Sequence, residues 1–384
     1  MALLTVGVFG TSSKENEKRV PVHPDQLSWI DEEVRSHLFF EENYGAEFGV
    51  EDDYFASLSA GVLPREELIR RCDIALLPKP VLADFKQMKE GGILWGWPHC
   101  VQQKAFTQAA IDKRLTLIAW EAMHKWWPNG DWQMHIFHKN NELAGYAGVL
   151  HALSLAGIDG NYGPHRKAVV ISFGSVSRGA IFALKGRGIH DITVYTQRYA
   201  TLVADQITGV EYLHFEDTQE EGMLSVHPEG HSVPFIEELA EADIIVNGIL
   251  QDTDHPLMFI KKGEEGRLKP GCLIVDISCD EGMGFFFARP TSFENPMLKV
   301  RKAYYYGVDH TPSYLWNSAS WEISSSLLPY LPIIMGGPES WESTQTVWKA
   351  IEIRDGIIQN PKILSFQKRE AEYPHRIIPS AMTV

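Results

Sequence analysis

The chain has 384 residues, 44% hydrophobic and 22% charged, which is long enough for two domains with cores of their own. Its 50 acidic and 35 basic residues leave a formal charge of −15, which argues against a nucleic-acid backbone or an anionic membrane surface as partner and leaves room only for a local basic pocket. Cys72, Cys100, Cys272 and Cys279 have neither metal-like nor disulfide-like spacing, and no apolar run reaches the length of a membrane span, so a soluble protein of the reducing cytoplasm is expected.

In chain order, Met1 to Phe9 lacks the charged start of a secretory signal and reads as a first strand, Leu3–Phe9, ending at Gly10. Apolar runs at Leu38–Phe40, Ile74–Leu77, Ile93–Trp97 and Thr116–Ala119 alternate with helical patterns such as Pro64–Cys72 and Gln102–Lys113. Such alternation predicts a parallel sheet covered on both faces. Trp126–His138 reads as a turn and an irregular or hairpin segment, and the small-residue run Leu143–Leu153 as a close-packing helix that connects two domains. A second αβ series follows, with strands at Ala168–Ile171, Ile192–Tyr195, Ile244–Val246, Leu273–Asp276 and Tyr304–Gly307. Glu216–Gly230 is expected to be an acidic surface loop. Helices are expected at Ser318–Leu328 and Gln345–Arg354, with Gly356 and Asn360–Pro361 ending the last one and a loop-like tail beyond. The fold expected is α/β, with two Rossmann-like domains of parallel sheet and a ligand cleft between them. Residues 1–140 plus 315–384 form the expected substrate domain and 141–314 the expected dinucleotide domain.

Several segments carry candidate chemistry. In Val169–Ala180 an apolar β-branched strand breaks into a small-residue turn and then a helix, as a dinucleotide site requires, although Ser172 and Ser177 replace the first and third glycines of G-x-G-x-x-G. An ordinary strand and tight turn would read the same way. Arg19, in the charged segment after the first strand, can hold a carboxylate through a bidentate pair, or simply belong to a solvated charge run. Lys79, between two prolines, and His99 stand at the carboxyl ends of neighbouring strands, where partial burial moves both types of group toward neutrality for proton transfer. Asp276–Gly282 is an acidic strand end. His135 and His138 lack further ligands and are set aside as a metal site; the tryptophans Trp120, Trp126, Trp127 and Trp132 read as core or as lining. The Gly174–Gly179 turn has neither the spacing of a nucleophile elbow nor a P-loop Gly-Lys-Ser/Thr.

Taken together, Glu15–Val20 with Pro24, Asp73–Lys79, Trp97-Pro98-His99, Ala144–Ala147, Asp243–Ile249 and Leu268–Gly271 resemble, in this order, the superfamily of alanine dehydrogenases, transhydrogenases and lysine-forming saccharopine dehydrogenases. Ser172–Ala180, Asp243–Ile249, and Tyr304–Val308 followed by Pro312-Ser313 are most similar to its opine-forming branch, the N5-(carboxyethyl)ornithine synthases. The resemblance runs over roughly residues 4–330 and leaves out Glu216–Gly230. It implies that Arg19 binds the substrate carboxylate, that Lys79 hydrogen-bonds substrate and shares acid–base work, that His99 is the general acid/base, and that Asp280 lies beside the reacting carbon. It also implies cofactor contacts from Ser172, Gly174, Ser175, Val176, Ser177, Arg178, Asn247 and Gly248, and substrate contacts from Asp309 and His310. That last pair resembles the lysine-forming saccharopine dehydrogenases and favours a bulkier amine than ammonia.

No acid ends the second strand of the nucleotide domain (Ile192–Arg198), while Arg198, with Arg178, can meet a 2′-phosphate, so NADP is expected, with NAD as the alternative. The expected reaction is NAD(P)H-dependent condensation of an amino acid's amine, ornithine- or lysine-like, with a 2-oxo acid such as pyruvate or 2-oxoglutarate, or the reverse cleavage. An alanine-type dehydrogenase using ammonia and an inactive nucleotide-binding sensor are the alternatives. The partners are then small molecules, with homo-oligomerisation left open.

Overall fold

A computed structural model describes residues 3–218, 222–252 and 255–379, and the chain divides into two compact units, Met1–His138 with Trp316–Val384, and Lys139–Leu315. In the first unit, β1 (Val6–Val8), β2 (Leu38–Glu41), β3 (Gly61–Leu63), β4 (Ile74–Leu76), β5 (Ile93–Gly96) and β6 (Thr116–Ala119) form a parallel sheet in the order β3-β2-β1-β4-β5-β6. Alternation along the strands supplies two cores: Val6, Val8, Ile74 and Leu76 pack into one, and Ala75, Leu77, Leu94 and Leu117 into the other. The strand order reverses between β1 and β4, so the loops leaving the carboxyl ends of those two strands diverge and open a crevice there. A hairpin, β7 (His124–Trp126) and β8 (Trp132–His135), follows. The His138–Ala156 helix then carries the chain into the second unit.

The second unit repeats the logic. Its strands are β9 (Lys167–Ile171), β10 (Asp191–Thr196), β11 (Glu211–Thr218), β12 (Gly222–Val226), β13 (Ser232–Pro234), β14 (Ile244–Asn247), β15 (Met258–Ile260), β16 (Leu273–Asp276), β17 (Gly284–Phe285), β18 (Met297–Val300) and β19 (Ala303–Tyr306). Six of them run parallel in the order β11-β10-β9-β14-β16-β19, again reversing beside the first strand of the series, at β9/β14. The edges are finished by antiparallel strands, β12 and β13 on one side and β18 on the other, while β15 and β17 pair separately. Val169 and Ile171 enter one core and Ala168 and Val170 the opposite one.

Three expectations are corrected. Glu216–Gly230 is not a loop: β11 and β12 pair antiparallel from His214↔Val226 to Thr218↔Gly222, because Phe215, Met223, Leu224 and Ser225 are buried in spite of their acidic neighbours; residues 219–221 lie outside the described residues. Gln345–Arg354 is helical only at Gln345–Trp348; Ile351–Arg354 is a strand, β20, that pairs antiparallel with β6 and continues into β21 (Ile357–Ile358). Its Ile-Glu-Ile alternation buries Ile353 against the sheet edge. Asn360–Pro361 starts a helix rather than ending one. The Asn360 side chain accepts from Lys362 N at the start of Pro361–Gln367, and proline is favoured in a helix's first turn because no donor is lost there.

In the second unit the His138–Ala156 and Ser175–Gly186 helices touch through glycines. A Cβ at Gly145 would lie 1.8 Å from the Val176 carbonyl oxygen, and one at Gly179 would lie 1.7 Å from that of Glu142. A Cβ at Gly174 meets nothing within 4 Å. Gly179→Ala is therefore expected to cost about 3 kcal/mol through overpacking and to lower the thermal midpoint by about 6–12 °C. Gly174→Ala should stay within about 0.5 kcal/mol of the parent; differential scanning calorimetry of the two variants checks the contrast.

Candidate active-site residues

The carboxyl edge of the first sheet is organised by buried charge. Glu41, at the end of β2, accepts hydrogen bonds from Gly10 N (2.8 Å), Thr11 N (2.9 Å) and Thr11 Oγ1 (2.6 Å), closing the turn after β1. Arg65 bridges Glu41 (3.2 Å) to Asp84 (2.8 Å), and Asp84 accepts from Val81 N at 2.8 Å. Ser12 Oγ donates to the Lys79 carbonyl at 2.6 Å. Together these contacts tie the loop after β1 to the loop after β4. Fully paired charges of this kind hold a loop geometry firmly, since removing one partner leaves the other desolvated.

Onto that frame the sequence candidates of the first unit converge. Lys79 Nζ lies 2.8 Å from His99 Nε2. The Lys79 ammonium and the Arg19 guanidinium lie 5.5 and 4.9 Å from the ring centroid of Trp97. Arg19 is buried in a forked pair with Glu17, Nε to Oε1 at 2.8 Å and Nη2 to Oε2 at 2.5 Å. His99 has a left-handed backbone (φ 47°), and its N–H donates to Glu121 Oε1 at 2.6 Å. Glu121 was missed by sequence reading, although it follows β6 much as Lys79 follows β4 and His99 follows β5. It is the most perturbed acid at this edge. Burial pushes its carboxyl up to about 8, helped by the nearby Glu352 and opposed by Lys79 and the His99 N–H. Its Oε2 is buried with no hydrogen-bond partner among the described residues. Glu121 is therefore largely protonated at neutral pH, a proton held next to the Lys79–His99 pair.

In the second unit, β9 ends at Ile171, the next residue Ser172 has φ 79°, and Gly174 opens the 12-residue helix Ser175–Gly186. A Cβ at Gly248 would sit 2.6 Å from Ser177 Oγ, so the β14 loop presses on the first turn of that helix while the space over Gly174 stays open. Ser172, Gly174, Ser175, Val176, Ser177 and Gly248 thus share one neighbourhood at the β9/β14 reversal. Open space above a glycine turn, leading into a helix N-terminus, fits a dinucleotide pyrophosphate. Arg198 is exposed just past β10 and donates to the Phe173 carbonyl at 3.2 Å. Arg178 stacks 4.2 Å over Phe173 and donates to the carbonyls of Ala204 and Asp205.

Asn247 is directed elsewhere. Its buried side chain donates to Asp276 Oδ1 at 3.0 Å. Asp276, also missed by sequence reading in this role, further accepts from Tyr305 OH (3.0 Å) and Cys279 N (3.1 Å). Burial pushes the Asp276 carboxyl up to about 7 against these three hydrogen bonds. By gripping Cys279, itself at φ 42°, Asp276 shapes the turn that carries Asp280, whose carboxyl is also raised by burial. The Asp309 carboxylate lies 2.6 Å from Nδ1 of buried His310.

Residues 11–144 match the alanine dehydrogenase/PNT N-terminal domain and residues 155–361 the alanine dehydrogenase/PNT C-terminal domain. The chain belongs to the alanine dehydrogenase/PNT family, whose members are nicotinamide-dependent oxidoreductases. Its relatives include the N(5)-(carboxyethyl)ornithine synthase of Clostridium botulinum, 27% identical over 81% of this chain and 89% of that protein. The corresponding enzyme of Lactococcus lactis subsp. lactis is 24% identical over 81% and 90%, and the alanine dehydrogenase of Mycolicibacterium smegmatis 22% identical over 90% and 92%. A solved L-alanine dehydrogenase and the transhydrogenase from Sinorhizobium meliloti share the fold, with TM-scores of 0.74 and 0.69 at 20% and 16% identity; they cover 94% and 93% of this chain and 99% of each structure.

The raised Glu121 carboxyl has a consequence for stability. The folded protein keeps this proton to about pH 8, whereas the unfolded chain loses it near about 4.3, so between the two values the native state binds more protons and stability falls as pH rises. Glu121→Gln, which keeps the acceptor for His99 N–H, should remove this dependence. The thermal midpoint of the parent is expected to drop progressively below that of the variant from about pH 5 to about pH 8, and parallel curves would contradict the assignment.

Proposed function

We propose that the chain catalyses the NAD(P)H-dependent joining of an amino acid's amine to a small 2-oxo acid, giving an opine-like secondary amine, or the reverse oxidative cleavage. The 2.8 Å contact between Lys79 Nζ and His99 Nε2 at the carboxyl ends of adjacent strands carries this reading. Two nitrogen bases so close can pass a proton between them, and two cations held at that distance repel one another. The chemistry needs such a pair. The amine adds to the oxo carbon, the carbinolamine oxygen must be protonated to leave as water, and the resulting imine must be held for reduction. Bound reduced nicotinamide supplies the hydride.

On this reading Arg19, its plane fixed by Glu17 and Trp97, orients the substrate carboxylate. Lys79 and His99 move the protons, and Glu121 holds a reserve proton behind His99. Asp280, with its raised pKa, is assigned to the reacting carbon, with Asp309 and His310 as substrate contacts. The nucleotide is bound at Ser172–Ser177, Arg178 and Gly248, and Arg198 selects NADP. Asn247 acts through Asp276 rather than by direct contact. A simple amino-acid dehydrogenase, with ammonia as the amine, is the second reading, favoured by the relatives that bear the name alanine dehydrogenase.

NADPH and NADH oxidation with pyruvate, 2-oxoglutarate or glyoxylate, each with ammonia or a panel of amino acids, separates the readings. Oxidation that requires an amino acid, with a product at the mass of the reduced adduct, is expected; oxidation with ammonia alone would establish the second reading. Silence across the panel with NADPH still bound would favour a nucleotide sensor. His99→Ala should lower turnover by about 10²–10⁴-fold while leaving NADPH affinity within about twofold. Arg198→Ser should cut the preference for NADPH over NADH by about tenfold, the worth of one charge-assisted hydrogen bond, as read from the ratio of kcat/KM values.

A further inference from the structure

The antiparallel edge of the second sheet carries a feature that dinucleotide chemistry does not use. Strands β12 and β13 are joined by the turn His227-Pro228-Glu229-Gly230-His231. Gly230 N donates to the His227 carbonyl at 2.9 Å and His227 N to the His231 carbonyl at 3.0 Å. Proline at the second position and Gly230 at φ 84° suit a tight turn of this geometry. The turn places His227 and His231 opposite one another across the hairpin, with rings parallel at 6° and centroids 4.4 Å apart. One ligand atom from each of His227, Glu229 and His231 lies within 4.8 Å of the others, and no other such set of three or more occurs among the described residues.

A second observation bears on the tautomer of His227. Its Nε2 lies 2.8 Å from Glu238 Oε1, with Ser225 Oγ at 3.3 Å. Glu238 is mostly buried on the Phe235–Ala240 helix and is itself hydrogen-bonded by the Tyr195 hydroxyl. A carboxylate accepting one imidazole N–H leaves the other ring nitrogen with a free lone pair and makes it a better donor to a metal, the usual support for a metal-bound histidine. Two imidazoles and a carboxylate form a His₂Glu set, which zinc favours at bond lengths near 2.0–2.2 Å. Ligand atoms around such an ion stand about 3.3 Å apart, so rotation of the exposed Glu229 and His231 side chains closes the site with no change in the backbone turn.

We propose that His227, Glu229 and His231 bind one divalent transition-metal ion, zinc foremost, with water completing the coordination and Glu238 as the positioning residue for His227. The site would staple the free end of the β12–β13 hairpin, far in sequence from Lys79, His99 and Asp280.

The test is calorimetric titration of the full-length, tag-free chain with ZnCl₂ in a non-chelating buffer, alongside His231→Ala, Glu229→Ala, His227→Ala/His231→Ala and Glu238→Gln. The parent is expected to bind one zinc more tightly than any other site on the chain. His231→Ala and Glu229→Ala, both at exposed positions and with unchanged metal-free melting, should abolish that event. Glu238→Gln should weaken it by about 10–100-fold without changing its stoichiometry. Zinc should raise the thermal midpoint of the parent and not that of His231→Ala. Equal zinc binding by the parent and the double variant, or none by either, would overturn the proposal.

Discussion

In a parallel sheet every strand points the same way, and the loops that leave the carboxyl ends must share one edge. Both units are built on that constraint, each with the strand order 3-2-1-4-5-6 counted within its own series. The reversal beside the first strand then opens a place where loops diverge and a ligand can reach strand ends. In the first unit the edge collects Ser12, Lys79, His99 and Glu121; in the second it collects the Ser172–Ser177 turn, Gly248 and the Asp276–Asp280 turn. Residues far apart in the chain become neighbours because the topology leaves them no other side on which to emerge.

Holding those loops in place falls to groups that would be unfavourable anywhere else. Glu41, Arg65 and Asp84 form an ion-paired chain beneath the first edge, and Asp276 takes three neutral hydrogen-bond donors inside the second. The two arrangements differ in kind. The first balances charge against charge, with Arg65 bridging the two carboxylates. The second surrounds an acid with dipoles only, and burial outweighs them, raising the pKa toward neutrality. Glu121 lies further along the same scale, with one acceptor atom satisfied and one not.

Much of the framework was legible in the sequence because buried parallel strands leave a simple mark. Ile74–Leu77, Ile93–Trp97, Val169–Ile171 and Leu273–Asp276 are short β-branched or aliphatic runs that few other structures explain. Lys79 and His99 could be placed at the ends of neighbouring strands for the same reason. What could not be read depends on partners distant in the chain. Arg65 finds Glu41 and Asp84 across 24 and 19 residues, and no local pattern marks such a pairing. β20 pairs with a strand more than 230 residues earlier, and its four residues beside a helix-forming segment looked like a helix's continuation. The β11–β12 hairpin was hidden by Glu216 and Asp217, exposed acids that follow directly on the buried stretch Tyr212–Phe215 of β11. His227 and His231 stood out only once the turn had folded them together.

The order in which the chain is made acquires meaning from β20. β6 is the last parallel strand of the first sheet, and its free edge is covered by a segment that leaves the ribosome only after the entire second unit has been synthesised. Ile323, Leu327, Leu331 and Ile334, which fill the same unit's core, arrive nearly as late. The nascent first unit therefore waits with an open strand edge and an incomplete core, while the second, continuous in the chain, is free to fold. Biogenesis, more than final stability, is where this architecture is most exposed to aggregation, and the length of that wait is set by translation of Lys139–Leu315.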